Sequence, residues 1–311
     1  MPKVILPKVI PPAEKLPLAI RKNVRDEYDA NHADLEEQIS KLLGTTWKID
    51  INPNAIWVYA TDRYRTEELG GCLTSYVNGA IENIESFLKI YGDIGKDEIN
   101  AACSAHTLTL AMDESGKIVY SGCDISDGKL RMLFHHENLA ANTYRVLENL
   151  EDALSAVNTR PGLCFLARHS IAEDWDANVE DLQNRIATQL ANDTIVLTPN
   201  FEEVYAAIKA ANIVQPNDRK WEKHIGSDVI EYFEGFLSSL EDHKFGSDEM
   251  LQEGFAEVVT KNEIKFRIVK KLVSRTWNES VIEDGVFYMQ TVPEYFPGNV
   301  REIADNIVDL L

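Results

Sequence analysis

The sequence predicts an α+β fold made of two diverged copies of one domain, each an α-β-β-α-β-β-β-α unit with an antiparallel sheet and helices packed against it. Three observations carry this expectation. Residue identities recur in order at nearly constant offsets, apolar stripes at helical spacing fall in the same places in each half, and matching turn-then-strand signals lie near the end of each half.

The recurrence starts in a helical pattern. Asp34, Leu35, Ile39 and Leu43 return 147 positions later as Asp181, Leu182, Ile186 and Leu190. Pro53, Asn54, Val58, Tyr59 and Ala60 return after 146 as Pro199, Asn200, Val204, Tyr205 and Ala206. At 156, Asp62, Arg63, Gly70, Tyr76, Gly79 and Glu85 become Asp218, Arg219, Gly226, Tyr232, Gly235 and Glu241. Gly95, Asp97 and Glu98 then match Gly246, Asp248 and Glu249. Finally Asp127, Gly128, Met132, Glu137, Asn142, Asn149 and Asp152 match Asp284, Gly285, Met289, Glu294, Asn299, Asn306 and Asp309, an offset of 157.

Within the first copy the elements follow from periodicity. Leu35, Ile39, Leu42 and Leu43 share one face of a helix over 31–43, and Trp47, Ile49 and Ile51 alternate as a strand. Pro53-Asn54 marks a turn, after which Ile56 to Tyr59 read as a second strand. Leu69, Leu73, Val77, Ile84 and Leu88 place a long amphipathic helix over 67–91. Thr107 to Ala111 and Lys117 to Ser121 read as strands around an Asp113-Glu114-Ser115-Gly116 turn. Asp127-Gly128 introduces the strand Lys129 to Phe134. A closing helix carries Leu139, Val146, Leu147, Leu150 and Leu154.

These patterns divide the chain into a Pro-rich extended arm and lead-in over 1–29, a first repeat over 30–157, a packed connector over 158–177 and a second repeat over 178–311. Pro-Lys-Val-Ile occurs twice in the first ten residues, and the prolines favour an extended arm. Its apolar residues Val4, Ile5, Leu6, Val9 and Ile10 call for cover, on this chain or on a neighbour.

Composition limits the partners. Lys plus Arg number 31 and Asp plus Glu 51, a formal net charge of −20 that repels phosphate backbones and anionic membranes. Residues 161–311 hold 14 basic and 27 acidic side chains, or −13, which leaves −7 for the rest. Four cysteines in a long chain, without an apolar leader or membrane span, lead us to expect a reducing, cytoplasmic setting.

Candidate chemistry is sparse. Cys103, His106, Cys123, His135 and His136 include zinc-type ligands but lack paired spacing, so no metal is expected. Cys72 follows Gly70-Gly71 at a helix start, where backbone N–H groups activate a thiol if a base such as His106 or His135 is near. Cys72, Cys103, His106 and His135 are therefore the catalytic candidates. Asp97-Glu98 and Asp248-Glu249 read as helix caps with acidic first turns. The phosphate-loop, Gly-x-Ser-x-Gly and His-Glu-x-x-His patterns are absent, and no cofactor is expected. The element order resembles that of small dimeric secretion chaperones in topology alone.

The expectation is a non-enzymatic protein-binding or assembly protein whose copies pack about a pseudo-two-fold axis, with protein favoured over small-molecule partners. The alternative is an enzyme or ligand-binding protein with a pocket at the inter-repeat junction or in the first repeat.

Overall fold

A computed structural model describes residues 9–61, 64, 67–157, 162–213, 220–273 and 277–311. Asp62, Arg63, Asp218, Arg219 and the arm residues Val4, Ile5 and Leu6 lie outside the described residues. Internal contacts divide the chain into Met1–Thr159 and Arg160–Leu311. The fold is mixed α and β, with a four-stranded sheet in each unit.

The first unit opens with helix α1 (Leu18–Asn23), a π turn (Val24–Asp29) and α2 (His32–Leu43), so the lead-in is partly helical. Strand β1 (Lys48–Asp50) follows, then α3 (Pro53–Trp57), where a strand was expected. Asn52 explains the difference: its side chain accepts the Asn54 N–H, and Pro53 takes the first helical position, where no N–H is needed. Helix α4 (Leu69–Ala102) bends at Gly92, whose φ of 49° and ψ of −137° are non-helical. It buries the predicted stripe of Leu69, Leu73, Val77 and Ile84. Strands β2 (Thr107–Met112), β3 (Ser121–Ser126) and β4 (Lys129–Phe134) complete the sheet before a 3-10 turn (Thr143–Arg145) and α5 (Leu150–Ala156).

The sheet order is β1-β2-β4-β3, and it is mixed where an antiparallel sheet was expected. β1 and β4 both run parallel to β2, and only β3 and β4 are antiparallel. A helical crossover through α3 and α4 brings the chain back in its original direction, which makes β2 parallel to β1. After β2 the chain passes beyond its neighbour and returns through the Asp127-Gly128 hairpin, so β4 fills the space beside β2. Lys117 to Tyr120 are therefore connecting chain, and β3 begins only at Ser121. The closing helix is shorter than its apolar pattern, because Asn142 at φ 54° interrupts it before the 3-10 turn.

The second unit has α6 (Phe165–Ser170), a π turn (Ile171–Asp176) and α7 (Val179–Leu190), so the expected connector is largely helix. It continues through β5 (Val196–Thr198), α8 (Phe201–Ala211), α9 (Ile225–Asp242) and α10 (Glu249–Val258). Strands β6 (Glu263–Ile268), β7 (Asn278–Glu283) and β8 (Val286–Thr291) precede 3-10 turns over Val300–Glu302 and Ile307–Leu310. Its order, β5-β6-β8-β7, has the same mixture of directions. Phe233, Phe236, Phe266 and Phe287 fill its core.

Each central helix is approached at two glycines by backbone. A Cβ on Gly70 would meet the Asn23 carbonyl oxygen at 2.4 Å, and one on Gly79 the Thr143 oxygen at 2.1 Å. In the second unit Gly226 meets Ser170 O at 2.2 Å and Gly235 meets Val300 O at 2.2 Å. The arm is attached to its own unit from Ile10 onward: Ile10 N–H donates to the Tyr59 hydroxyl, Ala13 N–H to the Asn54 carbonyl, and Leu16 is buried. Val9 and Ile10 nevertheless remain exposed on this chain.

G79A and G235A should each lose roughly 1–3 kcal/mol or more, because backbone must move to admit the methyl group. G71A, whose Cβ meets no heavy atom within 4 Å, should instead be neutral or gain up to about 1 kcal/mol of helix propensity. Urea denaturation of the three variants checks this; equal midpoints for G79A and G71A would contradict the packing.

Candidate functional site

The predicted catalytic residues are held in core and turn positions. Cys72 lies on the buried side of α4, and burial pushes its thiol up to about 12. Cys103, just after α4, is buried with its thiol likewise pushed up to about 12. Cys123 on β3 is raised by burial and then by Asp124, Cys103 and Asp152. A helix-start thiol would be activated only if its sulfur faced the free N–H groups and a cation; here each faces packed side chains.

His106 has a left-handed backbone, φ 43°, and its carbonyl accepts the Lys48 N–H at 2.9 Å, while its ring lies 5.8 Å from that of Trp47. It turns the chain from α4 into β2. Asn262 does the same before β6 at φ 54°, with its carbonyl accepting Val196 N–H. His135 sits at the end of β4, its ring 4.3 Å from that of His136. Among the described residues no group of three or more His, Cys, Asp or Glu side chains could hold a metal ion. Of the acidic pairs, Asp248 is a helix cap, its carboxylate accepting Met250 and Leu251 N–H, whereas Asp97 and Glu98 lie inside α4.

A different pair of residues occupies matching exposed positions. Tyr120 immediately precedes β3 and Trp277 immediately precedes β7, 157 positions later, with 48% and 51% of their surfaces exposed. The first is placed by the loop after β2. Asp113 accepts N–H bonds from Ser115 and Ile118 and a hydroxyl bond from Ser115. Burial works against its charge, but these bonds outweigh burial and hold the carboxyl below its ordinary value. Asn138 then donates to the Val119 carbonyl, and the Tyr120 carbonyl accepts the His135 N–H.

In the second unit Thr291 donates to the Trp277 carbonyl, and Asn278 donates to the carbonyls of Gly298 and Asn299. The Trp277 and Tyr295 ring centroids are 4.5 Å apart. A cavity of about 300 Å³ opens beside Trp277, with Glu279, Ser280, Glu302 and Asp305 in its wall. Neither aromatic was singled out from the sequence, since reading Lys117 to Ser121 as a strand made Tyr120 an ordinary strand residue. The signal available was an aromatic at the same offset as the Asp-Gly turns that follow it.

Comparison with family models, curated proteins and solved structures finds no match. Among the described residues no helix is long and apolar enough to cross a membrane.

Thiol burial gives a direct expectation. Brief alkylation of the native protein near pH 8 should modify the half-buried Cys164 before Cys72, Cys103 or Cys123, and all four only after denaturation. Peptide mass mapping reads the order. The raised thiols also set a sign with pH. An unfolded thiol ionises near 9 while the folded Cys72 and Cys103 stay protonated to about 12, so their contribution is intact below 9 and is lost as pH rises across that window. A rising denaturation midpoint between those values in the wild type, relative to C72A/C103A, would contradict it.

Proposed function

We propose that the chain is a non-enzymatic protein-binding or assembly protein built from two diverged copies of one domain, each copy presenting the same aromatic rim to a protein partner. The observation that carries this reading is the placement of Tyr120 and Trp277, large half-exposed rings at one register in both units. Aromatic side chains supply much contact area for little ordering entropy, and they recur as anchors of protein interfaces. A ring left half in water at two matched places is a surface feature kept through divergence of the flanking residues.

Support for duplication comes from turns and close approaches at matched offsets. The left-handed residues His106 and Asn262, Asp127-Gly128 and Asp284-Gly285, and Asn142 and Asn299 fall in pairs. Gly70 and Gly79 have counterparts in Gly226 and Gly235, each pressed by a carbonyl. Strongly negative net charge opposes a nucleic-acid partner. The buried thiols with raised ionisation favour binding over catalysis by those groups.

A photo-crosslinking residue installed at 120 or 277, and at Leu18 or Met250 as exposed controls, tests the reading in the cells that make the protein. One shared, discrete protein adduct from 120 and 277, absent from the controls, is expected. Adduct patterns that do not differ among the four positions would overturn it.

A further inference from the structure

The first unit carries an ion pair at the positions that wall the cavity of the second. Arg145 ends the 3-10 turn after β4, and its guanidinium makes two bonds to Glu148, Nε to Oε2 at 2.6 Å and Nη2 to Oε1 at 2.7 Å. That bond lowers the Glu148 carboxyl and raises Arg145. Adding 157 to each number gives Glu302, which ends the corresponding turn Val300–Glu302, and Asp305. The carboxylate at the second position is kept, and the guanidinium that neutralised it is replaced by another carboxylate. Among the described residues neither Glu302 nor Asp305 has an ion-pair partner.

Beside these two acids lie the half-exposed Trp277 and the opening of about 300 Å³. That volume is at the lower limit of small-molecule sites, roughly 300–1,000 Å³, and suits a side chain better than a cofactor. Two carboxylate residues and an indole lining one cavity match the planar, delocalised guanidinium, which takes two-pronged bonds at its edge and stacks on aromatic rings. The unit that holds the site is also the more acidic one: Arg160–Leu311 has 15 basic and 27 acidic side chains, or −12, against −8 for the rest.

We propose that this cavity receives an arginine side chain of a partner protein, in the place where the first unit uses its own Arg145. The source of the arginine rests on the protein-binding reading above; the cation preference of the cavity does not. The site deepens that reading by assigning the Trp277 rim a basic partner surface.

The test follows the Trp277 indole N–H resonance of the full ¹⁵N-labelled chain, identified by its loss in W277F. A blocked Gly-Arg-Gly tripeptide and its neutral citrulline counterpart are titrated in turn. A saturable shift with arginine, absent with citrulline and reduced by salt, is expected. E302R rebuilds the Arg145–Glu148 arrangement in the second unit and should weaken tripeptide binding on the order of tenfold or more while keeping the melting temperature; E302Q/D305N should do the same without adding a cation. Equal responses to the two tripeptides, no response at all, or unchanged binding in E302R would overturn the proposal. If the tripeptide binds while crosslinks from 120 and 277 match the controls, the partner reading fails and the cation site stands; specific crosslinks with an unmoved Trp277 give the reverse.

Discussion

The carbonyl oxygen of Thr143 lies 2.1 Å from where a Cβ at position 79 would sit, and that of Val300 lies 2.2 Å from one at position 235. With glycine there, the 3-10 turn that follows each sheet rests on the backbone of the central helix at a distance no other residue permits. Much else is placed by that contact. The turn at Thr143 carries Asn142, whose carbonyl accepts the Ser121 hydroxyl at the start of β3, and the chain beyond it brings Asn149 against Cys123. The turn at Val300 carries Asn299, which accepts from Asn278, and Ile303, which accepts from Ser280. Edge strand, turn and central helix are thus joined in both units, and the aromatic residue before the edge strand is positioned by the joint.

Legibility in the sequence followed the range of the interaction. β4, at Lys129–Phe134, and the start of α2 were readable because an Asp-Gly turn and a 3.6-residue stripe are local signals. Strand direction was not, because β4 lies between β2 and β3 only through the long return of the chain. Ile56 to Tyr59 misled for a local reason: the apolar run suited a strand, and the Asn52 cap with Pro53 decided for helix. The aromatic rim was hidden by that same short-range reading at Lys117 to Ser121, and its partner Trp277 could be recognised only by carrying the 157-residue offset backward across the Asp-Gly turn.

The chemistry suggested by residue type depends on burial, which residue type alone does not contain. Cys72 has helix-start neighbours that would activate a thiol, yet in a 3.6-residue helix a rotation of one residue separates the water-facing side from the core. Cys72 falls on the stripe with Leu69, Leu73 and Tyr76, all buried, so desolvation governs its ionisation. His106 illustrates a second case, a titratable residue whose observed role is its backbone. Its left-handed φ and carbonyl bond to Lys48 are reproduced by Asn262, which has no titratable side chain.

Sheet edges limit the ways in which the first unit can recognise another chain. An open edge would offer its N–H and C=O groups to an added strand. On β1 the outward Ile49 N–H donates to Glu36 at 2.8 Å and the Ile49 carbonyl faces His32 Nε2 at 3.0 Å. On β3 the Cys123 N–H and carbonyl are both taken by Asn149, which bonds them as a neighbouring strand would. The sheet face away from α4 carries Lys129 paired to Asp50 and Arg131 paired to Asp124, partners that an apolar contact would have to desolvate. At Ile49 and Cys123 the outward backbone groups of the two edge strands are thus already taken, and the face away from α4 carries paired charges. At the end of the sheet where Tyr120 stands the two units differ in side-chain charge, with Arg145 in the first and Glu302 at the same 157-residue offset in the second, while the turns that carry these residues are both 3-10.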